Sequence, residues 1–109
     1  MAAQLVVIWW RDIPTQVNVQ VGRTRYRAAL PRRFQRAVDE AATVAGLTQA
    51  SDYVAEWKRE AQPLTADPDP ERAQAAADDA AARFDAGYTK ARLTAIAARA
   101  GIDPDRAAP

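Results

Sequence analysis

The sequence predicts an α+β domain: a small three-stranded antiparallel sheet with two packed helices, followed by an alanine-rich C-terminal helical arm. Three observations carry that reading. An unbroken apolar run, Leu5-Val6-Val7-Ile8-Trp9-Trp10, is followed by a segment of clean period-two alternation. Apolar residues then recur at helical spacing from Phe34 onward. Three prolines within Gln62–Pro70 separate this first part from a stretch dominated by alanine.

The first run is rich in residues that are stiff at χ1 and suit a pleated surface. Its lack of alternation implies a strand that is central or covered on both faces. At six residues it is far short of the roughly 20 a membrane-spanning helix needs. Arg11-Asp12-Ile13-Pro14 reads as a tight connection, because Asp favours turns and Pro14 keeps Ile13 out of the helical region.

Thr15–Val21 is the second strand, with Val17, Val19 and Val21 on one face and Gln16, Asn18 and Gln20 on the other. Gly22-Arg23 can form a two-residue type II′ turn. That register pairs Val21 with Thr24, Val19 with Tyr26 and Val17 with Ala28. On the opposite face it pairs Gln20 with Arg25 and Asn18 with Arg27, so both faces are chemically consistent. The competing reading makes residues 23–30 a basic loop or a helical lead-in.

Pro31 suits the first turn of a helix carrying Phe34, Ala37, Val38, Ala41, Ala42 and Ala45, and Gly46 suits its end. A second helix is expected from Thr48 or Ser51, with Ala50, Val54, Trp57 and Ala61 on one stripe. Asp69-Pro70-Glu71 offers a cap, a first-turn proline and a dipole-compatible acid for a third helix. Gly87 interrupts that helix, and Thr89 can recap a last one carrying Leu93 and Ile96 before Gly101. Residues 4–61 are expected to form the core domain, 62–70 a Pro/Asp-rich linker, 71–101 the arm and 102–109 a frayed tail.

A chain of 109 residues is enough for one core. It contains no cysteine and no histidine, which removes disulfides, thiolates, imidazole bases and every zinc site built on those ligands. No metal and no cofactor is expected. Met1-Ala2-Ala3-Gln4 has no basic n-region, so no signal peptide is seen and a cytoplasmic location is expected. The net charge of +1 hides a polarity. Residues 1–36 hold seven Arg against Asp12, a net of +6, and the remainder holds eight Lys+Arg against thirteen acids, a net of −5.

The candidate residues follow from that distribution. Arg23, Arg25, Arg27, Arg32, Arg33 and Arg36 form a cluster without an intervening acid, either an anion- or partner-binding surface or a solvated face that pairs with the acidic arm. Trp10, Arg11 and Asp12 join this set, with Trp9 or Trp10 as core or as an exposed indole. Asp12 has no second acid, His or metal beside it in sequence, a poor catalytic set, so an Asp turn competes with an acid/base role. Asp67, Asp69 and Glu71 lack the Gly and terminal Glu of a calcium loop. Residues 93–102 resemble half of a helix-turn-helix with no recognition helix after it. Phe84, Tyr88, Leu93 and Ile96 are the large apolar groups through which the arm would dock.

Residues 4–60 resemble a small bacterial family of virulence-factor domain proteins. The likeness lies in Val7-Ile8-Trp9-Trp10-Arg11-Asp12-Ile13-Pro14-Thr15-Gln16-Val17, the Gly22-Arg23 step, Leu30-Pro31 through Phe34, and Ala45-Gly46-Leu47 leading to Tyr53 and Trp57. It implies an accessory or adaptor role and a loose association with folate and corrinoid one-carbon enzymes, and it brings no catalytic residues. The chain therefore reads as a non-enzymatic, partner-binding subunit of a cytoplasmic bacterial protein complex, or a homo-oligomer. The alternatives are a nucleic-acid-binding module using an arginine-rich hairpin and an exposed Trp, and an enzyme subunit that holds an anion against Arg11 and Asp12.

Overall fold

β1 (Ala3–Trp10) lies inside a four-stranded antiparallel sheet of order β3-β2-β1-β4. The computed structural model describes residues 3–47, 49–64 and 67–104. β2 (Ile13–Val21) and β3 (Thr24–Ala29) form the hairpin in the register expected from sequence, with Val19 opposite Tyr26 and Asn18 opposite Arg27. Gly22 adopts φ 59° at the turn, where a residue with a Cβ would be strained. β2 begins two residues earlier than its alternation suggests. Ile8 pairs with Gln16 but Trp9 pairs with Pro14, so Thr15 is the extra residue of a bulge. The Thr15 hydroxyl donates to the Ile8 carbonyl at 2.8 Å there, and the bulge accommodates a proline that cannot donate to the ladder.

The strand count and the second helix differ from expectation. Helix α2 is a single turn, Ala50–Val54, and β4 (Trp57–Pro63) pairs antiparallel with β1. The stripe from Val54 through Trp57 to Ala61 suits a helix, but pairing with the uncovered edge of β1 wins. Pro63 sits at the end of this edge strand, where a missing N–H is tolerated. Gln62 and Pro63 thus belong to the sheet rather than to the linker. Of the two caps expected for the second helix, Ser51 lies inside α2, whose cap position is Gln49, and Thr48 lies outside the described residues.

Helix α1 (Arg32–Val44) buries Phe34, Ala37, Val38, Ala41 and Ala42. Gly46 at φ 73° closes it, with Gly46 N–H to the Thr43 carbonyl and Leu47 N–H to the Ala42 carbonyl. Helix α3 (Pro70–Gly87) starts where its cap predicts, the Asp69 carboxylate accepting the Arg72 N–H at 2.8 Å. Helix α4 (Lys90–Ala98) is capped in the same way by Thr89.

α3 lies across one sheet face, over β2 and β3, and α4 lies against α1. Two buried clusters result. Val19 and Ala28 pack on Ala73, Ala77 and Ala81 of α3, where small residues let helix and sheet approach closely. At the other end of the sheet, Trp9, Trp10 and Ile13 pack with Phe34 and Val38 of α1 and with Tyr88, Leu93 and Ile96. The C-terminal helical arm therefore contributes to the same apolar cluster as the first strand. Residues 102–104, expected within the frayed tail, include the buried Asp103; residues 105–109 lie outside the described residues.

Candidate functional site

The Trp9–Asp12 segment forms an internal clasp. Successive strand residues point to opposite faces, and here both indoles are covered. Trp9 meets Phe84 edge-on at 5.6 Å and Tyr88 at 6.5 Å. Trp10 stacks obliquely on Tyr53 at 5.7 Å and donates its indole N–H to the Tyr53 carbonyl at 3.1 Å. Trp9 is 6% exposed and Trp10 is fully buried, so of the two readings of this pair the core reading holds for both indoles and neither is exposed at the strand end.

Arg11 takes a left-handed φ of 51° at the β1–β2 turn. Its guanidinium donates to the Ala100 carbonyl at 2.8 Å and to Glu56 Oε1 at 3.2 Å, and lies 5.4 Å over the Trp10 ring. The Asp12 N–H donates to the Gly101 carbonyl, and Asp12 Oδ2 accepts the Asp103 N–H at 2.8 Å. Arg92 extends the chain of contacts, pairing with Asp103 at 2.8 Å and lying 4.1 Å over Tyr88. These bonds join the turn, the loop before β4 and the end of α4.

The other candidates divide by surface. Arg33 is held against α3 and its exit loop, paired with the Asp85 carboxylate and donating to the Asp85 and Tyr88 carbonyls. This is the pairing with the acidic arm that the charge polarity suggested. Arg23 is exposed in the hairpin turn and Arg32 at the start of α1. Arg25 and Arg27 stand on the sheet face opposite α3. Of the arm's docking stripe, Tyr88, Leu93 and Ile96 are buried, and Phe84 is half-buried against Trp9.

That opposite face is the chain's unusual surface. Register sets out its residues in rows: Arg25–Gln20–Gln4–Pro63, then Arg27–Asn18–Val6–Ala61, then Ala29–Gln16–Ile8–Arg59. α3 covers the other side of β2 and β3 and leaves this one open, with Gln35 of α1 reaching its edge beside Ile8 and Gln16. Arg59 reaches back across β1 and donates to Gln20 Oε1 at 3.2 Å. The line from Arg59 to Gln20 passes over Val6, which explains how Val6 is 2% exposed on the face that α3 leaves open.

Two adjoining depressions mark this face. One of about 190 Å³ holds Asn18 and Gln20 between Arg25, Arg27 and Arg59. The other, about 390 Å³, runs from Ile8 and Gln16 to the half-buried indole of Trp57. Arg59, Asn18 and Trp57 were missed as site residues in sequence. The first and last lie in the segment whose spacing imitates a helix, and Asn18 reads simply as the polar side of a strand. On the α3 side, a cleft of about 390 Å³ lies among Leu5, Val7 and Trp9 of β1, Glu60 of β4 and Phe84 of α3.

Among the described residues, no group of three or more His, Cys, Asp or Glu is placed to hold a metal ion, and no helix is long and apolar enough to cross a membrane. In comparison with known proteins, the model of a family described as "Virulence factor" matches residues 8–97. The match runs through α3 and α4 and so extends beyond residue 60, where the sequence likeness stopped. No curated protein and no solved structure matches the chain.

Proposed function

The chain belongs to the virulence factor family, and from that premise we propose that it is a non-enzymatic binding module, an accessory subunit that docks a protein partner on the sheet face that α3 leaves open. Membership carries a generic association with virulence and names no reaction. The observation that supports a binding role is the concentration of Arg25, Arg27 and Arg59 on a sheet face that α3 leaves open, with no acid in its rows. Such a surface draws an acidic partner through its field and fixes the docking register by charge.

The chemistry of the Arg11–Asp12 pair supports the non-enzymatic half of the reading. A general acid or base must reach a reacting group, whereas Asp12 and Arg11 hold backbone groups of their own chain. A cytoplasmic location and attachment to folate or corrinoid one-carbon enzymes belong to the same proposal; the second is supported by the sequence resemblance alone.

The nucleic-acid reading keeps one favourable observation. The half-buried Trp57 lies on the same face as the arginines, where an indole could stack a base. The test is purification of the untagged protein from its host beside an Arg25→Glu/Arg27→Glu variant and an Arg32→Glu/Arg36→Glu control. The proposal expects a stoichiometric protein complex that survives the control reversal and is lost in the first variant. Equal retention in both variants overturns the assignment of this face. Recovery of RNA or DNA in place of protein, released steeply by salt, favours the nucleic-acid reading.

A further inference from the structure

Asn18 is the anomaly of the face that α3 leaves open. It is 7% exposed, and its side-chain carbonyl oxygen meets no hydrogen-bond donor. Buried polar atoms are almost always paired, and an orphan implies either a cost to the fold or a missing partner. The depression it lines is shared with Gln20 and with Arg25, Arg27 and Arg59, over a floor of Val6 and Ile8. Arg27 and Arg25 come from one edge strand beside Asn18 and Gln20, and Arg59 arrives from the other. Mutual repulsion should spread three like charges apart, yet Arg59 turns inward to Gln20, the cross-strand neighbour of Arg25. Among the described residues, no carboxylate lines the depression.

We propose that this depression is a phosphoryl-binding site that takes a phosphomonoester in its monoanionic form. The inference deepens the binding-module reading of the same face and rests on it. The chemistry follows from what is unsatisfied. Asn18 needs a donor, and the guanidinia need acceptors. A phosphomonoester monoanion supplies one P–OH for Asn18 and charged oxygens for Arg25, Arg27 and Arg59. A carboxylate or a phosphodiester at neutral pH supplies acceptors alone. The depression, about 190 Å³, has room for a phosphoryl group and a few waters, each water occupying about 30 Å³. Entry requires only that Arg59 exchange Gln20 for an anionic oxygen, since its side chain is flexible and exposed.

The pH dependence identifies the ligand's own proton. The charged groups facing Asn18 are Arg25 and Arg27 from β3 and Arg59 from β4; β1 and β2 bring only uncharged residues to these rows. The chain has no histidine, the side chain that ordinarily titrates near neutrality. Binding should therefore weaken as pH rises past about 6, where a phosphomonoester loses its second proton.

The test is a titration of the full chain with inorganic phosphate and with sulfate at pH 6 and pH 8, followed by amide NMR and a thermal melt. Expected are saturable shifts at residues 16–20 and 25–27 with phosphate at pH 6, binding weaker by about tenfold or more with sulfate, and binding several-fold weaker at pH 8, where most inorganic phosphate is the dianion. Asn18→Leu should abolish the phosphate shifts while leaving the ligand-free melting temperature unchanged or higher. Arg59→Lys, which keeps the charge and the aliphatic stem over Val6 but loses the guanidinium fork, should weaken binding in parallel. A phosphoserine peptide and a nucleoside monophosphate, titrated separately, distinguish a phosphorylated partner from a free nucleotide by which binds more tightly. Equal affinity for sulfate, or unaltered phosphate binding in both Asn18→Leu and Arg59→Lys, overturns the assignment. Tighter binding of a phosphodiester oligonucleotide than of phosphate overturns it as well. Loss of phosphate selectivity leaves the binding-module reading standing, since that is decided by partner retention in the Arg25/Arg27 reversal; oligonucleotide preference counts for the nucleic-acid reading instead.

Discussion

The backbone N–H of Asp103 donates to the Asp12 carboxylate at 2.8 Å, joining positions 91 apart in the chain. The bond fastens the segment that follows α4 to the turn that follows β1. With Arg11 on the Ala100 carbonyl and Asp12 N–H on the Gly101 carbonyl, it makes the most sequence-conspicuous segment a structural joint. Asp12→Ala is expected to cost about 1.5–3 kcal/mol, the range for a hydrogen bond to a charged group. Urea unfolding with an unchanged m-value checks it, and a variant as stable as the parent refutes the clasp.

The division into core and arm is decided by truncation. Trp9, Phe34 and Ile13 share one buried cluster with Tyr88, Leu93 and Ile96. Ending the chain at Gln62 is therefore expected to abolish cooperative unfolding, read by circular dichroism and near-UV signals. A truncated chain that melts cooperatively would show that residues 4–61 stand alone.

Leu93, 2% exposed, and Val54, 60% exposed, make a matched pair. Leu93→Ala should cost about 2–5 kcal/mol through lost burial and the cavity left behind. Val54→Ala should stay within about 0.5 kcal/mol. Denaturant midpoints separate the two, and similar losses would contradict the packing described.

The end of α4 offers opposite effects at adjacent positions. Ala100 occupies φ 60°, a left-handed conformation that a Cβ disfavours by roughly 1–2 kcal/mol, so Ala100→Gly should stabilise by about 1 kcal/mol. Gly101 sits at φ +87° with a hypothetical Cβ 3.0 Å from the Trp10 ring, and Gly101→Ala should destabilise by about 1–3 kcal/mol. Thermal melts check both signs.

Where physics is local, the sequence was readable. Cross-strand chemistry at Asn18–Arg27 and Gln20–Arg25 gave the hairpin register, and Asp69 and Thr89 marked two helix starts. Gly46 marked the end of α1. β4 was hidden because it is an edge strand exposed along most of its length, so neither face carries an apolar alternation to detect. Pairing with β1 is what makes it a strand. For the same reason Arg59 could not be joined to Arg25 and Arg27, which lie more than thirty positions earlier. The arginine cluster was visible as composition, but not its division: Arg33 bonds to the exit of α3, whereas Arg25 and Arg27 stay on the open face. The double burial of Trp9 and Trp10 was equally non-local, since it depends on Phe84, Tyr88 and Tyr53.

The most direct test of the account is a double dissociation in one assay of stability and partner retention. Asp12→Asn should lower the urea midpoint and, under folding conditions, retain the partner. Arg25→Glu/Arg27→Glu should leave the midpoint near that of the parent and lose the partner. If Asp12→Asn loses the partner while still folded and the arginine reversal keeps it, the functional surface lies at the β1–β2 turn and the assignment made here is wrong.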